Sequence, residues 1–312
     1  MPEDPGAQPV GADLLVAEPW FDRLVRGQRW LDPVGGSVQA SVKAVFAALG
    51  TPGDHARDLL HGSKGLGHPL HPALTDLPLG AWGVGAALDY AAHFDPRLGT
   101  QAGDVALIVG LLVGLAAAVT GLTDSQDTYG QELRVNMLHG LTMGVALVLM
   151  AASLGLRWWA SFAWHPLALG LSTAGLAVAM AGMYAGGHLT FGLGTMVNRG
   201  AFLSGPTSFT LLGSSSDFPE GELRQAEAGG MQVVVARVQG QVCALSAVCS
   251  HAGGPLAEGT LTGRVVTCPW HGSRFDLEDG AVLRGPATFP QPQFVVRERD
   301  GVVEGRLAHP VP

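Results

Sequence analysis

Two short stretches hold the residues best suited to chemistry: Cys249-Ser250-His251 and Cys268-Pro269-Trp270-His271-Gly272-Ser273, with sixteen residues between them. Each offers one thiolate and one imidazole. Two such pairs suit either a Cys2His2 zinc site or a [2Fe–2S] cluster in which two Cys hold one iron and two His the other. A C-x-H step is too tight for the usual finger spacing of C-x2–4-C and H-x3–5-H, which favours the cluster. Exchanging two thiolates for neutral imidazoles removes two negative charges. The potential then rises from about −400 mV for all-Cys clusters to roughly −150 to +300 mV.

Loops of this kind need a rigid frame. Around them, short alternating runs separated by Gly and Asp predict strands at Met231–Val238, Gln241–Ala247, Val265–Cys268, Gln293–Glu298 and Val302–Arg306. Asp300-Gly301 between the last two is a hairpin turn signal. The expectation is an antiparallel all-β domain carrying two cluster-binding loops. With three cysteines there is no disulfide framework, and Cys243 on a predicted strand reads as a small core residue.

From about Ser208 to Leu307 the sequence resembles the Rieske ferredoxin family, through the pattern C-x-H…C-P-x-H-G-S. The resemblance implies one [2Fe–2S] cluster, with Cys249 and Cys268 on the inner iron and His251 and His271 on the outer, solvent-facing iron. Gly253, Gly254 and Pro255 match the turn after the first His. Gly272 and Ser273 match the second loop, where backbone N–H groups and the Ser273 hydroxyl can donate to the sulfurs. The respiratory-complex branch of the family carries an extra, disulfide-bonded Cys in each loop, where this chain has Gly254 and Trp270. It also has a Tyr where this chain has Phe275. The chain is therefore more similar to the ferredoxins that serve oxygenases, and Phe275 implies a potential in the lower part of the range.

The 312 residues exceed one typical domain, and only 14% are charged. The apolar residues concentrate in the middle. Val105–Thr123 runs nineteen residues without a charge, Val135–Leu156 twenty-two, and Trp158–Asn198 is uncharged throughout. A span needs about 20 apolar residues, so these three blocks are long enough to cross a bilayer. Leu77–Phe94 is the weakest block, since its Asp89 needs a partner or a polar cavity. The expected architecture is an all-α four-helix transmembrane bundle followed by the β-domain. Its divisions are 1–58 (a polar segment with an amphipathic helix at Ser37–Leu49), 59–190 (the membrane domain), 191–206 (a Gly-rich linker) and 207–312. The acidic N-terminus lacks an apolar h-region, so no cleavable signal peptide or twin-Arg leader is expected. Gly110/Gly114 and Gly182/Gly186 suit close helix packing in lipid.

The membrane block resembles an uncharacterised bacterial four-helix membrane family, through Leu59-Leu60-His61-Gly62, Gly67-His68-Pro69-Leu70-His71-Pro72 and Gly186-Gly187-His188-Leu189. That family has no defined activity, and some of its members are fused to Rieske domains.

The net charge of −8 and the lack of a basic patch give no reason to expect nucleic acid as a partner. No Walker loop or dinucleotide fingerprint is present. No catalytic residue is assigned. The expectation is an electron carrier or oxidoreductase component, anchored in the bacterial inner membrane and serving a redox partner protein or quinone. The alternatives are a quinol- or haem-linked oxidoreductase and an oxygenase ferredoxin for which the bundle is only an anchor. Positive residues before Leu77 outnumber those on the opposite side (Arg97 and Arg157), which favours a cytoplasmic β-domain. With four crossings, His68, His71, His139 and His188 gather at the β-domain side, as a candidate membrane site for haem b, a metal or a quinone headgroup.

Overall fold

A computed structural model describes residues 19–163 and 165–309. The leader reading of the first ten residues lies outside them. Seven α-helices come first among the described residues: α1 Trp20–Arg26, α2 Leu31–Ala48, α3 Thr51–His61, α4 Leu70–Phe94, α5 Gln101–Asp124, α6 Gly130–Trp159 and α7 Pro166–Gly187.

The last four form an antiparallel bundle. Trp82 of α4, Leu107 and Leu111 of α5, Ala146 and Met150 of α6 and Ala179 of α7 meet in its core. Its outer surface stays apolar, with Val105, Leu112 and Val148 pointing outward, as a lipid-facing surface requires. Among the described residues, three segments are long and apolar enough to cross a membrane: 101–127, 130–159 and 166–192. Helix α4 completes the expected four-helix bundle. At 25 residues α4 is longer than α5 and α7, but His71, Asp76, Asp89 and His93 interrupt it. It packs against the apolar three, and inside the bundle Asp89 finds a partner.

That partner is Arg157, a residue expected to flank a helix end. Instead it is buried, donating to Asp89 Oδ2 at 2.6 Å and Asp104 Oδ1 at 2.8 Å. Ser153 and Ser172 lie within 3.3 Å of the same guanidinium. One cation thus ties all four helices at the end remote from the β-domain. The glycine pairs pack close, but against side chains: a Cβ on Gly110 would meet the Trp82 indole at 2.3 Å.

The amphipathic helix is longer than its periodicity suggested, and α3 was not foreseen, because Gly50 restarts the chain as its N-cap. Helix α2 packs on the bundle. Leu31 and Val38 join Leu133 and Met137, and Gln39 Nε2 donates to the Ser125 and Thr128 carbonyls at 2.7 and 2.9 Å. Helices α1 to α3 therefore cover one end of the bundle.

The C-terminal domain has two antiparallel sheets, one in the order β1-β10-β9-β4-β3-β2 and the other β5-β6-β7-β8. The strands are β1 Thr210–Ser214, β2 Leu223–Ala228, β3 Met231–Val238, β4 Gln241–Ser246, β5 Thr260–Thr262, β6 Val265–Thr267, β7 Arg274–Asp276, β8 Val282–Arg284, β9 Gln293–Arg299 and β10 Val302–Leu307. The five strands read from alternation are present, and Asp300 and Gly301, both at positive φ, make the expected turn. The three-residue strands β5, β7 and β8 are too short to alternate detectably.

The β-domain sits against the covered end of the bundle. Arg284 pairs with Asp54 of α3, and the Gly285 N–H donates to Asp58 Oδ1 at 3.3 Å. The connector lies along the first loop, where the Arg199 N–H donates to the Ser250 carbonyl at 3.0 Å.

Candidate metal centre

The first loop follows β4 and the second joins β6 to β7, so adjacent strand ends hold both. Each loop folds on itself: the Gly253 N–H donates to the Cys249 carbonyl and the Gly272 N–H to the Cys268 carbonyl, at 2.8 and 3.1 Å. Gln291 braces the first loop from below, accepting from the Ser250 N–H and donating to the Val248 carbonyl.

Cys249 and Cys268 are buried. The Cys249 thiol, donating to the Cys268 sulfur and shut away from water, titrates well above its ordinary range. The same hydrogen bond brings Cys268 down to about 6, helped by the Trp270 and His271 backbone amides. Amides of His251 and Ala252 likewise point at the Cys249 sulfur. These donors stabilise sulfur charge. The Ser273 hydroxyl, also buried, accepts from the Ala287 N–H at 3.0 Å.

The two imidazoles meet nearer the surface, with Nδ1 of His251 3.2 Å from Nδ1 of His271 and ring planes at 88°. Two nitrogens on one tetrahedral metal at ~2.0–2.1 Å lie roughly 3.3 Å apart, so this pair fits a single ion. Burial pushes His251 down to about 3, with His271 adding to the effect, and burial lowers His271 too. Both rings are neutral at physiological pH, the state a metal requires of them. Among the described residues no three His, Cys, Asp or Glu side chains converge on one point. A mononuclear Cys2His2 zinc site needs four. A thiolate end and an imidazole end held apart fit a binuclear cluster.

Gly254 is where the loops touch. A Cβ there would fall 2.8 Å from the Cys268 sulfur and 3.1 Å from the Trp270 ring.

The imidazole edge does not open onto bulk water. Tyr129, between α5 and α6, stacks on His271 with centroids 5.3 Å apart and planes at 28°. Behind it lies a cavity of about 580 Å³, lined by His251, Trp270, Asp124, Asp127 and Arg199 among others. At its rim His61 bonds Asp124 at 2.7 Å. The sequence reading missed Tyr129. A lone aromatic between two apolar helices carries no local signal, and only the docking of the domains reveals it.

The family models divide along the same lines as the fold. Residues 208–295 match the Rieske [2Fe-2S] domain, and residues 67–199 match a family described as a predicted membrane protein (DUF2231). Ferredoxin CarAc of Metapseudomonas resinovorans is 35% identical over 29% of this chain and 85% of its own length. The ferredoxin component of biphenyl 2,3-dioxygenase from Rhodococcus jostii is 36% identical over 31% of this chain and 91% of its own. The chain belongs to the Rieske [2Fe–2S] family. The iron–sulfur subunit of the cytochrome b6-f complex of Chlorobaculum tepidum is 30% identical over 31% of this chain and 52% of its own. Among solved structures, the ferredoxin of Sphingomonas yanoikuyae B1 aligns at 27% identity over 33% of this chain and 100% of its own, with a TM-score of 0.31. The Rieske domain implies a [2Fe–2S] cluster, and the apolar helices beside it imply a lipid environment.

The four membrane histidines have different surroundings. His68 is exposed, with Nδ1 beside the Pro69 carbonyl. His188, at the start of a π-turn ending α7, bonds Asp22 of α1 at 2.8 Å. His71 and His139 face each other inside the bundle, with ring centroids 6.1 Å apart.

Proposed function

We propose that this chain is a membrane-anchored one-electron carrier whose Cys249 and Cys268 hold one iron and His251 and His271 the other. The cluster supplies a centre that takes up and releases single electrons at a potential within roughly −150 to +300 mV. The sulfur-facing amides stabilise the reduced charge, and Gln291, bonded to the Ser246, Val248 and Ser250 backbone, braces the first loop. The observation carrying this reading is the position of the imidazole edge, against Tyr129 and the cavity at the membrane domain's end. Electrons enter and leave there, exchanged with a redox partner protein or a quinone reaching the cavity from the membrane boundary. A soluble ferredoxin tethered only for convenience needs no such cover over its imidazoles.

The orientation proposed is inner membrane with the Rieske domain in the cytoplasm. Burial of Arg157 leaves Arg97 as the cation counted on the far side, against Arg23, Arg26, Arg29, Lys43, Arg57 and Lys64 before α4. A reporter fused after Pro312 is expected to be active only in the cytoplasm.

The cluster assignment is tested by metal analysis of detergent-purified protein. About two irons and two labile sulfides per chain are expected, all lost in His251→Ala. Zinc in place of iron, or an intact cluster in His251→Ala, would overturn it. Reduction of the cluster by a short-chain quinol tests the route. If only a soluble reductase reduces it, the bundle is an anchor alone.

A further inference from the structure

His71 enters the bundle from the first turn of α4, and His139 from the third turn of α6. Nδ1 of His71 lies 2.8 Å from the Ala117 carbonyl of α5, and Nδ1 of His139 lies 2.8 Å from the Gly182 carbonyl of α7. A carbonyl only accepts, so in each ring Nδ1 carries the proton and Nε2 is left with a lone pair. Among the described residues, neither Nε2 has a hydrogen-bond partner. Two lone pairs in one place are thus left free for a ligand.

The spacing of the rings is the second observation. A metal bound by two imidazole nitrogens at ~2.0–2.1 Å sets the ring centroids roughly 5 Å apart at a tetrahedral angle and roughly 6.4 Å apart in line. The observed 6.1 Å, with planes at 78°, falls near the in-line end. The helices are shaped around the rings in this pose: a Cβ on Gly121 would meet His71 at 2.8 Å, and one on Gly186 would meet His139 at 3.0 Å. An imidazole with its Nδ1–H fixed by a carbonyl is the usual arrangement of a metal-ligating histidine.

We propose that His71 and His139 together hold one transition-metal centre through their Nε2 atoms, in the half of the bundle that faces the Rieske domain. The nearby acids are engaged elsewhere, Asp124 with His61 and Asp22 with His188. An all-imidazole donor set suits iron, copper or zinc and not magnesium or calcium. Two in-line nitrogens leave the equatorial positions open, and a haem fills them with its own ring. Haem iron and a bare ion share the same axial chemistry, and they are told apart by optical absorbance.

This site stands independently of the cluster, and the test keeps them separate. The full chain is purified in mild detergent from cells supplied with iron and a haem precursor. Haem absorbance, total metals, labile sulfide and the cluster's EPR signal are then measured. Wild type should carry about one metal beyond the cluster iron. His71→Ala and His139→Ala should each lower it more than about tenfold while sulfide and EPR signal persist. His68→Ala should retain it, and so should His251→Ala, which forfeits the cluster. A haem spectrum identifies haem, and extra metal without one identifies a bare ion. Wild type with cluster iron alone overturns the proposal, whatever the variants do. So does extra metal that survives both substitutions.

Discussion

The two ends of the helical bundle are both polar, and they use polarity differently. At the remote end, a single Arg157 bonds both Asp89 and Asp104, and both carboxylates are almost fully buried. At the Rieske end, Asp124, Asp127 and Tyr129 border a cavity, with the buried His61 bonded to Asp124 behind them, and the cavity reaches the imidazoles of the candidate cluster site. The first arrangement locks helices together. The second leaves groups poised beside a space large enough for a partner. An ionisable residue in an apolar bundle thus becomes a functional candidate once its partners are counted: Arg157 has every donor direction answered, while His71 and His139 each keep an Nε2 lone pair without a partner.

Four substitutions sharpen that contrast or break it. Arg157→Leu should have the largest effect, about 3–5 kcal/mol of destabilisation, because it leaves two buried carboxylates facing each other. Thermal unfolding in detergent reads this loss, and whatever folds should keep its cluster potential. Adding Asp89→Leu and Asp104→Leu should recover most of the stability. A shifted potential in Arg157→Leu would break the division between the ends.

His61→Phe comes next. It strands Asp124, and a loss of about 1–3 kcal/mol is expected. Unlike Arg157→Leu, it should also move the midpoint potential, since His61 lies close enough to influence His251. Film voltammetry on the full chain decides this, and an unmoved midpoint would show the two ends to be alike.

Tyr129→Ala removes the ring stacked on His271, worth about 0.5–1.5 kcal/mol. Its sharper effect is kinetic. A small water-soluble oxidant should reach the cluster severalfold faster by stopped flow, and an unchanged rate would mean that the ring shields nothing. Asp54→Ala should do least. Its ion pair with Arg284 is half exposed, and about 0.2–1 kcal/mol is expected from chemical denaturation.

How legible this was depended on how local the signal is. C-x-H and C-x2-H loops declare their chemistry because two ligand types at tight spacing have few other uses, and β3, β4, β9 and β10 alternate long enough to show. The three apolar spans were equally plain. The role of α4 was not, because its polar positions make sense only against Arg157, sixty-eight residues after Asp89. Nor was the cover over the imidazole edge legible. It depends on α3 and the connector bringing Tyr129 to His271, a contact between residues 142 positions apart. The histidine motifs placed these side chains at the Rieske end of the bundle. They could not say that His71 meets His139 while His188 turns to Asp22, since helix rotation sets that and sequence spacing does not.

The Rieske domain is held to the bundle end at more than its covalent join. Arg284 and Gly285 grip α3, the connector's Arg199 is bonded to the first loop, and the Leu307 N–H donates to the Pro206 carbonyl where the connector ends, at 2.8 Å. The contacts of Arg284 and Gly285 with α3 oppose a pivot between a docking place for the donor and another for the acceptor. Delivery then rests with the visitor, and the intramolecular step becomes a fixed-distance hop. Thickening the solvent with glycerol should slow encounter with soluble partners and leave that hop at its original speed.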